Sequence, residues 1–335
     1  MRVLILGGTR FVGPHLARLL LERGAEVTLL HRGLTGDSIA GTTSVIGDRA
    51  QADGLAALGG ARFDAVVDMS AYFSGWTRAA ADALDGRVGH YVFISSGAVY
   101  RPSAELPWPE STPFGPIPIW GGYGREKVAS ERIVWEAQAE GRYAVTCLRF
   151  PFILGPGNFA DRESFVFGRL AADRPILLPG GGTALNQFVY AEDVAGAIVA
   201  TLERPDVAGG QAYNCTYANP ITNRGWVELC ASVLGVEPRL VPIDEAELGV
   251  AAETVDLANV VFPYPAEHYV LDGAKLTREL GVAITTGNRR MIEEYAIWWE
   301  ALATKPPLRS YEREDAALAA LGLPTVGGQA PRGGG

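Results

Sequence analysis

Two residues suited to proton transfer, Tyr123 and Lys127, stand four positions apart at the start of a long helical pattern. On a helix this spacing places both side chains on one face. A cation beside a phenol stabilises the phenolate, so a tyrosine in this setting exchanges a proton more readily than an isolated phenol, whose pKa is about 10. A tyrosine and a lysine on a solvated helix face would show the same spacing, so the rest of the chain must decide.

A third candidate for chemistry is a serine upstream of this pair. The apolar run His90–Ile94 predicts a buried strand, and Ser95-Ser96-Gly97-Ala98-Val99-Tyr100 follows it. Small hydroxylated residues at the carboxyl end of a strand lie where α/β sheets bind ligands. Ser96 could therefore donate a hydrogen bond to a substrate oxygen, although a polar turn would also explain the pattern.

A glycine-rich turn near the N-terminus predicts a dinucleotide site. The apolar run Val3–Leu6 predicts a strand, an amphipathic helix follows over 14–23, and residues 26–30 predict a second strand. Such a strand–turn–helix–strand unit lets backbone N–H groups at the helix start hold a pyrophosphate. The residues that we assign to the cofactor in this turn are Gly7, Thr9, Arg10, Phe11, Val12 and Gly13.

The residues around the adenosine ribose favour NADP. Arg10 replaces the middle glycine of the usual three, and His31-Arg32 stand where an acidic residue would bind a ribose 2′-hydroxyl. An arginine at this point can take the 2′-phosphate of NADP. We therefore expect Arg10 and Arg32 to flank that phosphate. The alternative is that Arg32 only caps a surface turn and that the cofactor is NAD.

Further strand ends complete the expected cofactor groove. A third strand is predicted over 44–48, with Asp48 placed to meet the adenine, and a fourth over 63–68, with Ser70 and Ala71 just after it. Alternation of strands and helices through the first 150 residues predicts an α/β fold, a doubly wound parallel Rossmann sheet covered on both faces.

The chain divides into a cofactor domain and a smaller lobe. Residues 1–150 form the expected Rossmann domain, and 151–325 a substrate lobe built from several segments, some of which return to the first domain. The pattern loosens after Arg149, so we expect a loop over 150–157. The glycine-rich tail over 326–335 is expected to be disordered.

Composition narrows the classes of partner. The net charge of −9 argues against nucleic-acid binding. Three cysteines without a secretory signal predict buried thiols and a cytoplasmic protein. No apolar run reaches the roughly 18 residues of a membrane span, and the histidines show no metal-ligand spacing, so neither a membrane nor a metal is expected.

Several motifs in order resemble the extended short-chain dehydrogenase/reductases, the group that includes nucleotide-sugar epimerases and dehydratases. The motifs are Gly7-Gly8-x-x-x-x-Gly13, Ser95-Ser96-Gly-Ala-Val-Tyr100, Glu110-x-Thr-Pro113, Tyr123-x-x-x-Lys127, Gly155-Pro156-Gly157 and Gln187-Phe-Val-Tyr-Ala-Glu-Asp193-Val-Ala195. The start Gly-Gly-Thr-Arg-Phe-Val-Gly and the stretch Phe262–His268 resemble an atypical branch that includes the chloroplast stem-loop RNA-binding proteins.

The resemblance implies roles for these residues. Ser96 would polarise the substrate oxygen, Tyr123 would act as acid and base, and Lys127 would hold the nicotinamide ribose and assist the tyrosine. It also implies a homodimer formed through two long helices of each subunit. The cofactor set implied by the whole pattern adds Ser95, Tyr123, Lys127, Phe150 and Phe152 to the residues above.

Departures from the family pattern limit the substrate. Dehydratases carry an acidic residue close after the catalytic serine or threonine, where Gly97-Ala98 stand here, and epimerases show an asparagine shortly after the residue equivalent to Arg149. An arginine that binds the diphosphate is replaced by Asn186-Gln187. Without such charge-assisted bonds a nucleotide would bind weakly. We therefore expect a smaller sugar, polyol or ketone. Candidate substrate contacts are Ser96, Gly97, Tyr100, Asn186 and His268.

Three functional hypotheses follow. The first is an NAD(P)-dependent reductase or epimerase that moves hydride at a carbinol or carbonyl carbon. The second is a sugar-nucleotide epimerase that retains its cofactor through turnover. The third is a dinucleotide-bound, non-catalytic protein that binds RNA or a partner chain, as in the plant branch.

Overall fold

The computed structural model describes residues 1–34, 39–51, 53–257, 260–305 and 311–324. The chain forms two compact units. The first unit comprises Met1–Gly157, Gln187–Ala218 and Val270–Thr286. The second unit comprises Asn158–Asn186, Asn219–Tyr269 and Gly287–Gly335. The tail over 326–335, expected to be disordered, lies outside the described residues.

The strands and helices are numbered in chain order. The strands are β1 (Arg2–Leu6), β2 (Glu26–His31), β3 (Thr43–Ile46), β4 (Phe63–Asp68), β5 (Val88–Ser96), β6 (Ala144–Phe150), β7 (Phe152–Leu154), β8 (Pro175–Pro179), β9 (Leu185–Asn186), β10 (Phe188–Tyr190), β11 (Gln211–Asn214), β12 (Ile221–Thr222) and β13 (Arg239–Ile243). The helices are α1 (Val12–Glu22), α2 (Ser74–Ala83), α3 (Gly121–Ala139), α4 (Glu163–Ala171), α5 (Ala191–Glu203), α6 (Pro205–Ala208), α7 (Asn223–Leu234), α8 (Glu245–Thr254), α9 (Ala274–Leu280), α10 (Asn288–Ala301) and α11 (Glu312–Ala320).

A seven-stranded sheet organises the first unit, in the order β11-β6-β5-β4-β1-β2-β3. All of its pairings are parallel. Successive residues of β1 point to opposite faces: Val3 and Ile5 pack in one core, Leu4 and Leu6 in the other. Both faces are buried from Val3 to Leu6, and this part of the strand is apolar. The predicted doubly wound α/β fold is confirmed.

Helices cover the sheet on both faces. Buried side chains of α1 and α5 pack in the core that holds Ile5, while those of α2 and α3 pack in the core that holds Leu4. All three cysteines are buried free thiols. No helix in the described ranges is long and apolar enough to cross a membrane.

One strand is longer than the sequence pattern predicted, and a second strand lies where a loop was expected. β5 continues through Ser95 and Ser96, which pair in register with Arg149 and Phe150 of β6. The loop expected over 150–157 is wrong in part, because Phe152–Leu154 is β7 and pairs with β10. In both cases the partner strand, which is distant in sequence, supplies the hydrogen bonds that local propensity did not indicate.

The second unit has its own small sheets and core. β8 pairs with β13 in parallel, and β9 pairs with β12 in antiparallel. Leu177 of β8 packs with Ile243 of β13 and with Leu318 of α11. A buried ion pair between Arg169 and Glu314 joins α4 to α11.

Candidate active site

The first two turns of α3 carry the Tyr123–Lys127 pair. Tyr123 is 44% exposed, whereas Lys127 is 5% exposed. The Lys127 ammonium donates to the carbonyl of Ile94 in β5 at 2.8 Å, and its Nζ lies 5.9 Å from the centre of the Tyr123 ring. Nζ also lies 5.0 Å from the centre of the Phe93 ring. The helix therefore holds a buried cation beside a solvent-accessible phenol.

Ser96 ends β5 close to the start of α3. Its side chain is 7% exposed, and Oγ accepts a hydrogen bond from the Ala98 amide at 3.2 Å, which caps a short turn over 97–99. A Cβ added to Gly124 would lie 3.3 Å from the carbonyl oxygen of Ala98. The helix start thus packs directly on the turn after Ser96, which brings Ser96 and Tyr123 to one edge of the sheet.

A buried carboxylate extends the same helix face by one more step. Glu131 follows Lys127 by four residues and is fully buried. Arg149 donates to both of its carboxylate oxygens, at 2.9 and 2.7 Å, and Ser95 donates through Oγ to Oε1 at 2.5 Å. Glu131 was not among the residues predicted from the sequence. The continued four-residue spacing 123, 127, 131 was a signal that could have found it.

Tyr100 belongs to this buried network. Its hydroxyl donates to Asn214 Oδ1 at 2.7 Å and accepts from Arg149 Nη1 at 2.9 Å. Burial raises the pKa of Tyr100 above its ordinary value. The Tyr100 side chain is fully buried and accepts a hydrogen bond from Arg149. Its contact with substrate stays a prediction. Gly97 is buried as well.

The glycine turn has the backbone geometry of an anion cradle. Gly7 and Gly8 have φ values of +92° and +83°, and a Cβ on Gly13 would lie 1.9 Å from the carbonyl oxygen of Gly8. Phe11 has φ 58° and ψ −108°, a conformation that costs a non-glycine residue roughly 1–3 kcal/mol. α1 begins at Val12 and has no acidic residue in its first turn. Its amide groups suit a pyrophosphate, so the turn fits a dinucleotide.

The ends of β2 and β3 contain the residues assigned to the adenosine. His31 Nδ1 accepts from the Gly33 amide at 3.1 Å, so its proton lies on Nε2, which donates to Ser44 Oγ at 2.5 Å. Both ring nitrogens of His31 are thus bonded within the protein, and Arg32 is exposed. Contact of either residue with a cofactor stays a prediction. Arg10 and Thr9 lie in the glycine turn, Arg10 exposed. Asp48 lies two residues beyond β3, where Oδ1 accepts the Ala50 amide at 3.0 Å.

The remaining cofactor candidates lie at neighbouring strand ends. Ser70 Oγ donates to the carbonyl of Leu6 at 3.0 Å, and Ala71 is buried beside it in the chain. Phe150 ends β6 and is buried. The Phe152 ring lies 6.1 Å from that of Trp120, centre to centre.

Two candidate substrate contacts belong to the second unit. Asn186 is fully buried, and its Nδ2 donates to Asn223 Oδ1 at 2.7 Å. His268 Nδ1 accepts from the Leu185 amide at 3.0 Å. Contact of Asn186 and His268 with substrate stays a prediction. Across the described ranges, no group of three or more histidine, cysteine or acidic residues is placed to hold a metal ion.

Comparison of the sequence with known proteins finds one matching family and several relatives. A family model for the NAD dependent epimerase/dehydratase family matches residues 3–216, more than half of the chain. The chloroplast stem-loop binding protein of 41 kDa b from Arabidopsis thaliana is 29% identical over 296 residues, which cover 84% of this chain and 74% of that protein. A UDP-glucose 4-epimerase from Corynebacterium glutamicum is 25% identical over 324 residues, covering 78% of this chain and 94% of the epimerase.

Solved structures share the fold. The Thermus thermophilus UDP-glucose 4-epimerase in complex with NAD superposes with a TM-score of 0.73 at 22% identity, covering 90% of this chain and 99% of the epimerase. A dTDP-glucose 4,6-dehydratase from Bacillus anthracis, also in complex with NAD, gives a TM-score of 0.73 at 16% identity, covering 90% of this chain and 96% of the dehydratase.

Proposed function

We propose that this chain, which belongs to the NAD dependent epimerase/dehydratase family, binds NAD(P) and transfers hydride at a carbinol or carbonyl carbon of a small molecule. The observation that carries this proposal is the exposed Tyr123 phenol beside the buried Lys127 ammonium, with Ser96 at the same sheet edge. An exposed phenol next to a fixed cation is arranged to exchange a proton with a ligand rather than to stabilise the fold.

The chain's own residues would hold the dinucleotide along one edge of the first unit. The glycine turn and the start of α1 would receive the pyrophosphate, Asp48 and the exposed Arg32 would bind the adenosine, and Lys127 would hold the nicotinamide ribose. When bound, the nicotinamide accepts or supplies a hydride. The protein contributes placement and proton transfer.

Tyr123 would exchange a proton with the substrate oxygen. In the oxidative direction Tyr123 would take the hydroxyl proton of a carbinol substrate. In the reductive direction it would return a proton to the carbonyl oxygen. Ser96 would donate a hydrogen bond to the same oxygen. Lys127, fixed by the Ile94 carbonyl, would keep its positive charge near the reacting oxygen, since its Nζ lies 5.9 Å from the centre of the Tyr123 ring.

We infer NADP as the preferred cofactor. Arg10 and Arg32 are exposed, and β2 ends in His31, which is bonded to Ser44 and presents no carboxylate to a ribose hydroxyl. A guanidinium suits the 2′-phosphate. The solved relatives named above hold NAD, so NAD is the alternative. Titration calorimetry with both oxidised dinucleotides separates them: a higher affinity for NADP supports the inference, and equal affinity or a preference for NAD opposes it.

The experiment that tests the function measures reduced-nicotinamide absorbance with a panel of ketones, sugars, polyols and UDP-sugars. A reductase consumes added NADPH in proportion to product, whereas an epimerase with retained cofactor converts substrate without net change. The departure at Asn186-Gln187 favours a substrate without a diphosphate, and the departure at Gly97-Ala98 disfavours dehydration of a sugar. Dinucleotide binding without conversion of any panel member would count against the proposal.

RNA binding is a second candidate, because a relative over 84% of this chain is named a chloroplast stem-loop binding protein. The net charge of −9 disfavours it. A gel-shift at physiological salt with a structured RNA, showing tight and sequence-dependent binding, would favour this candidate. A homodimer and a cytoplasmic location stay predictions; light scattering of purified protein tests the first, and fractionation of the source cells the second.

A further inference from the structure

A buried arginine that the function described above does not use lies directly after Asp48. Arg49 is 7% exposed, although it follows an exposed strand end. Its guanidinium donates to both oxygens of Asp68, to Ser70 Oγ at 3.1 Å and to the carbonyl of Trp76 at 3.1 Å. A long cationic side chain fixed at so many points has lost its freedom to follow a ligand.

The partner carboxylate lies at the end of the central strand of the sheet. Asp68 ends β4 and is fully buried; it also accepts a hydrogen bond from Tyr91 of β5 at 2.6 Å. Burial alone would raise the pKa of Asp68, but the Arg49 charge and the Tyr91 hydroxyl overcome this effect and lower it below its ordinary value. The pair is therefore ionised in the folded protein, and Arg49 offers no free charge to a phosphate.

The same network reaches the glycine turn. Asp68 is in register with Leu6 of β1, the last residue before Gly7. Ser70 bonds both Arg49 and the carbonyl of Leu6, and a Cβ on Gly7 would lie 3.1 Å from the Ser70 side chain. The residues under the pyrophosphate turn are thus tied to the segment that carries Asp48.

That segment is a compact turn. A Cβ on Gly47 would lie 2.4 Å from the carbonyl oxygen of Gly54, and one on Gly54 would lie 1.8 Å from that of Asp48. The Asp48 carboxylate itself accepts the Ala50 amide. Arg49 connects this turn to Asp68 of β4 and to Trp76 near the start of α2.

We propose that Arg49 is a positioning residue for the adenosine half of the dinucleotide: its anchored guanidinium fixes the Asp48 turn at a set distance from the glycine turn. The proposal rests on the cofactor assignment made above. Arg49 touches no part of the ligand and acts through Asp48.

Titration calorimetry with NAD⁺ and NADP⁺ tests the proposal through a double-mutant cycle. One change is Asp48→Ala, and the other is the double substitution Arg49→Met/Asp68→Asn, which removes the pair without leaving a buried charge alone. We expect the pair variant to weaken the better-bound dinucleotide by about tenfold, and Asp48→Ala to have little further effect in that background. Nicotinamide mononucleotide, measured by saturation-transfer NMR, should bind both proteins equally.

A merely structural role would give additive losses in the cycle and equal weakening of both ligands, and either result overturns the proposal. Arg49→Lys covers the case in which the pair variant fails to fold. Lysine keeps the charge but lacks the planar guanidinium that bonds Asp68, Ser70 and Trp76 together, so dinucleotide affinity should fall. Unchanged affinity would contradict the proposal. The matched control is Arg169→Met/Glu314→Gln, an equally buried pair of the second unit, whose loss should leave dinucleotide affinity unchanged.

The two proposals fail in different ways. If the native chain binds neither dinucleotide, the cofactor assignment is wrong and the role of Arg49 is wrong with it. If the native chain binds and the pair variant binds equally well, only the role of Arg49 is overturned.

Discussion

Lys127 and Tyr123 share a helix face but not an environment: the ammonium is 5% exposed and bonded to Ile94, while the phenol 5.9 Å away, measured to its ring centre, is 44% exposed. A charge fixed by the core therefore acts on a group open to ligands. Tyr72 provides an internal comparison, because its ring centre also lies 5.9 Å from Nζ and it too is 44% exposed.

Tyr123→Phe should lower turnover by about a hundredfold or more, because the acid and base of the reaction is lost. Dinucleotide affinity should change little. Tyr72→Phe is the matched control and should retain activity, since Tyr72 lies off the helix face that carries the pair. Steady-state kinetics on the panel substrate and calorimetry check both. Near-normal turnover in Tyr123→Phe would show that the catalytic assignment is wrong.

Ser95→Ala should lower kcat by about tenfold with a small change in stability, because the bond from Ser95 to Glu131 fixes the strand end that carries Ser96. Ser130→Ala is the control: Ser130 is equally buried on α3, but it bonds to Thr77 of α2 instead of the strand. Kinetics and thermal unfolding on both variants are the measurements. Equal kcat in the two variants would remove the role of Ser95.

Gly124→Ala should lower kcat, because the new Cβ would meet Trp120 Cβ at 2.7 Å and force the helix start away from the turn after Ser96. Gly122→Ala is the control. Its Cβ would find only the Arg125 side chain, at 3.7 Å, so it should keep activity and stabilise the fold by about 0.4–1 kcal/mol. Kinetics and urea unfolding measure the two effects. Unchanged kcat in Gly124→Ala would contradict the packing argument.

Arg32→Ala should weaken the binding of NADPH by about tenfold or more and that of NADH little, because the substitution removes the bond to the 2′-phosphate. Arg23→Ala serves as control, because Arg23 is an exposed arginine at the end of α1 that pairs with Glu203. Calorimetry with both reduced cofactors gives the ratio of affinities. If the two affinities fall equally, the 2′-phosphate inference is wrong.

His90 should make the fold less stable in acid. Burial lowers the pKa of His90 from 6.5 to about 4, and Nδ1 is buried without a hydrogen-bond partner in the described part of the chain. The unfolded chain therefore binds a proton first as pH falls, so stability present above pH 6.5 is lost between 6.5 and 4, by about 3 kcal/mol in all. Thermal unfolding of the native chain and His90→Gln at pH 7, 6 and 5 checks this. The loss on acidification should be smaller in the variant, and parallel curves would contradict the assignment.

Features encoded by contiguous residues could be predicted from the sequence. The alternation of apolar runs and amphipathic segments gave the doubly wound sheet, the glycine turn followed from one unbroken stretch, and the four-residue spacing placed Tyr123 and Lys127 on one helix face. Each of these depends on local periodicity or on backbone freedom at a few adjacent positions. Such features can be predicted without knowing which strands are neighbours.

Which side chains are exposed and which are held in buried ion pairs depends on how the strands and helices pack. The Glu131–Arg149 and Arg49–Asp68 pairs join residues 18 and 19 positions apart on different elements, and no local pattern indicates them. The same packing took Tyr100 out of contact with solvent. A buried charge requires a partner, and the order of the strands in the sheet determines which residue provides it. These ion pairs therefore could not be identified before the strand order was known.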